Sequence, residues 1–148
     1  MGVTIIRNQK IGFVFQKFHL LPDLNALDNV ALPLLYASVD EKKARSRAQN
    51  LLESVNLADR TNHYPYQLSG GQQQRVAVAR ALANNPCIIL ADEPTGNLDS
   101  ATGTMILELF KTLNRQHNVT IILVTHDHTV AKQAQRIITL RDGMVIGP

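Results

Sequence analysis

The run Leu68-Ser69-Gly70-Gly71-Gln72-Gln73-Gln74-Arg75 constrains this chain more than any other segment. A serine followed by two glycines opens directly into a helical stretch. The glycines let the backbone approach an anion closely. The unpaired first-turn N–H groups and the positive end of the helix dipole then face that anion. Downstream the chain reads Ile88-Ile89-Leu90-Ala91-Asp92-Glu93, an apolar strand ending in two carboxylates. Open α/β sheets bind ligands at such strand ends. A phosphate-facing helix and an acidic strand end suit nucleotide chemistry, which needs a divalent cation and an oriented water.

The rest of the chain repeats this rhythm. Ile11 to Phe15 is expected to form a short buried strand, followed by an apolar loop from Phe18 to Pro22. Asp28 is expected to cap a short helix broken near Pro33. Asp40 is expected to cap a longer helix to about Asn56, with Ala44, Ala48, Leu51, Leu52 and Val55 at helical spacing. Lys42, Lys43, Arg45 and Arg47 alternate around that stripe as a solvated face. Tyr64 to Gln67 reads as a loop, and Gln72 to about Asn84 as a helix ended by Asn85-Pro86. Ser100 is expected to cap a helix with Met105, Ile106, Leu109, Phe110 and Leu113 on its apolar stripe. Val119 to Val124 reads as a buried strand, with a short helix after Asp127. A hairpin turning at Asp142-Gly143 closes the chain. Buried strands alternating with amphipathic helices predict an α/β fold with a parallel sheet.

Composition narrows the class. A length of 148 residues, 45% hydrophobic and 18% charged, suits one globular domain. No apolar run approaches the ~18 residues of a membrane span. The net charge of +3 is too small to argue for nucleic acid. The single Cys87 excludes an internal disulfide, fits a reducing cytosol and is expected to be a small core residue.

Five segments in order now carry a family likeness. They are Ile11 to Gln16, Leu68 to Arg75, Ile88 to Glu93, Pro94 to Asp99, and Thr125-His126-Asp127. Together they resemble the nucleotide-binding domain of ABC transporters. The pattern Leu20-Leu21-Pro22, then Asn29-Val30 and Leu32-Pro33-Leu34, is similar to the lipoprotein-release and macrolide-export branch. The resemblance implies a P-loop NTPase-like parallel sheet with an inserted α-helical subdomain at about 23–68 and the signature at 68–75. It also implies ATP and Mg2+ as ligands. Asp92 would hold Mg2+ together with Gln16. Glu93 would polarise the attacking water, and His126 would contact the γ-phosphate. Ser69, Gly70, Gly71 and Gln72 would close over ATP held by a second copy or homologous domain. Asp99 would lie at that dimer interface while also able to cap the following helix. Arg75 and Arg80 would brace the signature loop. A transmembrane permease subunit would dock on the apolar segment after Gln16, placing the protein on the cytoplasmic face of the membrane.

One family element is not in these residues. No lysine follows a glycine, so the phosphate loop G-x-x-x-x-G-K-[ST] is missing. In the family it precedes the Gln16 segment. The expectation is that residues 1–148 are the C-terminal part of one ATPase domain, inactive alone. Two other readings follow from the same motifs: a non-transport ABC ATPase acting on DNA or ribosomes, and a non-enzymatic chain that pairs with an intact homologue. The compact, cysteine-free block between Gln16 and Ser69 argues against DNA-repair members, so no nucleic acid is expected.

Overall fold

A computed structural model describes residues 10–147. Strands β1 (Ile11–Phe15), β2 (Ile88–Asp92) and β3 (Thr120–Val124) form a parallel sheet in the order β1-β2-β3. Ile11 lies opposite Ile88, and Ile88 opposite Thr120, so the three strands end level at Phe15, Asp92 and Val124. Helix α1 (Ala26–Tyr36) and helix α2 (Glu41–Ser54) lie between β1 and the signature. Helix α3 (Gly70–Leu82) carries the signature, and α4 (Ser100–His117) connects β2 to β3. A short α5 (His128–Ala131) and a hairpin of β4 (Thr139–Arg141) and β5 (Met144–Gly147) follow. The hairpin turns through Asp142 and Gly143, both at positive φ, the twist a two-residue hairpin needs.

Two cores share one helix. In the helical block Val30, Leu34, Ala44, Ala48 and Leu52 pack together with Val76 and Ala79 of α3. On the sheet, Val14, Ile89, Ile106 and Phe110 pack with Val78 and Leu82 of the same helix. Because α3 lies between the two cores, its run Val76-Ala77-Val78-Ala79 is fully buried, without the polar face of a surface helix. A fully buried leucine such as Leu52 stabilises the fold by roughly 1.5–3 kcal/mol relative to exposure.

Several expectations need correction. Asn25, not Asp28, caps α1, accepting from the Asp28 N–H; Asp28 instead pairs with Arg45 across the helix pair. Pro33 does not break α1, which runs through it because Val30, Ala31 and Leu34 are held in the core. Asp99, not Ser100, caps α4. Tyr64 to Gln67 tightens into a 3-10 turn over Pro65–Gln67. Met105 faces solvent at the edge of the α4 stripe. Cys87 is exposed rather than in the core, since it lies in the connection before β2. Strand β3 is not buried on both faces: Ile121 and Leu123 pack on the sheet core, whereas Ile122 and Val124 are exposed. Asp40 caps α2 as expected.

Candidate nucleotide site

The acidic end of β2 is held in an unusual backbone conformation. Glu93 follows the strand with φ at 45°, and its N–H donates to the Val124 carbonyl at 2.9 Å. A glutamate in the left-handed region costs on the order of 1–3 kcal/mol and persists only where its surroundings impose it. That turn aims its side chain at the end of β3. The His126 N–H donates to Glu93 Oε1 at 2.8 Å, and His126 Nδ1 lies 2.6 Å from the same oxygen. The Thr125 hydroxyl donates to Oε2 at 3.2 Å. Burial pushes the Glu93 carboxyl up, but the His126 and Thr125 hydrogen bonds outweigh it and hold it below its ordinary value. The His126 ring is 86% exposed and Glu93 only 19%, so the imidazole stands open to a ligand while the carboxylate is shielded.

Gln16 tops β1 beside Asp92, one residue beyond the Phe15–Asp92 pair. Its amide nitrogen donates to Asn97 Oδ1 at 3.3 Å, and Asn97 Nδ2 donates to the Gln16 carbonyl at 3.0 Å. A Cβ at Gly96 would stand 2.5 Å from the Gln16 amide nitrogen, so the Gln16 side chain lies directly against this segment. Asp92 is exposed at the same strand-end level. Asp92 offers a carboxylate and Gln16 an amide oxygen at the same end of the sheet, and hard oxygen donors are what Mg2+ prefers. Among the described residues no cluster of three or more His, Cys, Asp or Glu could hold a metal by itself.

The signature opens α3 with a reciprocal cap. The Gln72 N–H donates to the Ser69 hydroxyl at 3.3 Å, and the Ser69 N–H donates to the Gln72 side chain at 2.9 Å. The Gly70 and Gly71 amides, at the first two helical positions, have no acceptor inside the helix. A Cβ at Gly71 would fall 2.3 Å from the Thr102 methyl, so α3 lies close against the start of α4. Asp99 caps that start, accepting from both the N–H and the hydroxyl of Thr102; these bonds lower its carboxyl pKa.

The structure therefore joins Glu93 to His126, and Gln16 to the segment that ends in Asp99. Ser69 and Gln72 bond to each other and not to Glu93 or His126. Arg75 and Arg80 do not brace the signature loop. Arg75 donates to the Val55 carbonyl at the end of α2, and Arg80 to carbonyls of the loop after Gln16. Sequence reasoning missed Gln74, which is fully buried and donates to the carbonyl of Pro94, next to Glu93. Its signal was a polar residue one turn before Ala77 and Val78 on a buried face. It also left Asn29 without a role. That buried amide bonds to the backbone of Leu21, Leu24 and Asn25, shaping the loop into α1.

Known proteins place this arrangement. A family model described as ABC transporter matches residues 3–96. An ABC transporter ATP-binding protein of Methanocaldococcus jannaschii is 56% identical over 143 residues, covering 97% of this chain and 63% of that protein. A macrolide export ATP-binding/permease protein, MacB, of Syntrophobacter fumaroxidans is 56% identical over 142 residues, covering 95% of this chain and 20% of that protein. This chain thus spans less than two thirds of the relatives it matches. The ATP-binding cassette MJ0796, solved as a dimer bound to ADP and Pi, superposes with a TM-score of 0.84 at 53% identity, over 97% of this chain and 64% of that one. The strand-end carboxylates, the capped double glycine and these likenesses agree: the chain belongs to the ABC transporter family, with relatives that include the macrolide-export branch.

Proposed function

We propose that these residues belong to an ATP-binding subunit that couples ATP binding and hydrolysis to export or lipoprotein release by a transmembrane permease. The observation that carries this reading is the Glu93–His126 pair, a shielded carboxylate and an open imidazole at the end of the central strand. Glu93 orients the attacking water and takes up its proton, while His126 meets the γ-phosphate. Positioning and charge neutralisation are most of what phosphoryl transfer asks of a protein. Asp92 and Gln16 Oε1 would hold Mg2+, which when bound neutralises phosphate charge. Ser69, Gly70, Gly71 and Gln72 face the ATP of a second copy, where the capped helix supplies its N-terminal dipole. Asp99 lies at that junction. Leu21 on the loop after Gln16 and Leu35 and Tyr36 at the end of α1 are exposed, and such exposed apolar side chains would meet the permease. Among the described residues no helix is long and apolar enough to cross a membrane, so attachment on the cytoplasmic side would come through that partner.

These 148 residues contain no phosphate-loop lysine, so the chain alone is expected to bind no Mg-ATP. Calorimetry with Asp92→Ala as control checks this; binding that vanishes in the control would mean that the site holds nucleotide by other means. Extending the chain at its N-terminus with the phosphate-loop segment of the M. jannaschii relative should restore ATPase activity. In that extended chain Glu93→Gln should reduce kcat by at least about 100-fold, the scale of a lost general base. Turnover at the unsubstituted rate would remove Glu93 from the mechanism.

A further inference from the structure

Arg80 sits nearly three turns into α3 and reaches back to the loop after Gln16. Its Nη1 donates to the His19 carbonyl at 2.6 Å and its Nη2 to the Phe18 carbonyl at 2.9 Å. Phe18 and His19 are consecutive non-glycine residues at positive φ, 62° and 49°. L-residues visit this region rarely, and two in succession hold it only when outside contacts impose it. A rigid guanidinium fork serves two adjacent carbonyls at once, which a lysine ammonium cannot do in a fixed geometry. The turn is also tied inward: the Phe18 N–H donates to the Phe15 carbonyl at 3.1 Å, and the His19 ring packs on Phe15. A Cβ at Gly70 would stand 3.7 Å from the Phe18 ring tip, so the same turn touches the start of the signature helix. Gln16 lies two residues before Phe18 and is fastened to Asn97 through both its side-chain amide and its carbonyl.

We infer that Arg80 is a positioning residue for Gln16: its guanidinium clamps the left-handed Phe18–His19 turn onto α3, so that Gln16 and the signature helix move as one body. The inference rests on the Mg2+ role proposed for Gln16. Its first test does not depend on that role, so the two can fail separately.

Hydrogen exchange on the 148-residue chain is the first measurement. Arg80→Lys should speed exchange of the Phe18 and His19 amides about tenfold or more while amides of α3 and β2 are unchanged, the pattern of a local opening. Unchanged exchange at Phe18 and His19, or a uniform rise across the sheet, would overturn the clamp. Arg75→Lys, which touches α2 instead, should leave both amides as they are. In the extended chain, Arg80→Lys should raise the Mg2+ concentration for half-maximal ATPase roughly threefold or more with kcat at saturating Mg2+ within about twofold, because a mispositioned Gln16 weakens the site without removing Glu93. A fall in kcat with the Mg2+ dependence unmoved would overturn the link to Gln16. Adding His19→Gly, which tolerates positive φ without an outside clamp, should restore the Mg2+ dependence. If Arg80→Lys does not fold, recovery of folded protein by His19→Gly supports the clamp, and failure to recover overturns it.

Discussion

At the residue scale the decisive event is the meeting of Glu93 and His126. The sequence marks both through their motifs, 33 positions apart. It does not show that one carboxylate oxygen receives both the backbone and the ring of His126. That follows from β2 and β3 ending level and from the left-handed turn at Glu93. The pairing has a pH consequence. The folded Glu93 carboxyl lies below its ordinary value, so its contribution to stability is complete above that value. The contribution is lost as pH falls through the lowered one. Wild-type and Glu93→Gln chains unfolded in urea should therefore differ by a constant amount near neutrality. The difference should close only in acid below the ordinary glutamate value of about 4.3. A difference that closes already between about pH 6 and pH 5 would mean that another group governs it.

At the scale of elements, α3 organises the molecule. It closes both cores, presents the signature at its N-terminus, reaches Pro94 through Gln74 and holds the Gln16 loop through Arg80. Strand β1 lies tight beneath it: a Cβ at Gly12 would fall 2.4 Å from the Ala81 carbonyl oxygen. That neighbour is backbone and cannot swing aside. Gly12→Ala should therefore destabilise the chain by roughly 1–3 kcal/mol, the cost of overpacking a filled interior. Urea midpoints read this directly, and an unchanged midpoint would mean that β1 and α3 separate freely. The helices were legible from apolar spacing, but their caps were not. Asn25 and Asp28, or Asp99 and Ser100, are all good capping types placed close together. The path of the incoming loop chooses between them.

At the scale of the whole molecule, one side of the sheet is covered by α3 and α4, and the other presents apolar side chains. Ile122 and Val124 are 46% and 58% exposed on β3, an edge strand among the described residues. An apolar edge strand invites pairing with another chain. Ile122→Lys should raise the soluble yield of the 148-residue chain and reduce light scattering, while its unfolding free energy from urea titration stays within about 0.5 kcal/mol of wild type. Unchanged scattering would place the aggregation surface elsewhere, with the exposed β4–β5 hairpin as the next candidate. By itself, the sequence determined the α/β class and the parallel strands, because local periodicity encodes them, and its ordered motifs carried the resemblance to the family. Only the tertiary structure decided which face of β3 is bare, that Cys87 is exposed, and that Arg80 serves the Gln16 loop. Those outcomes depend on which segments, distant along the chain, come to lie against one another, and no local pattern records that.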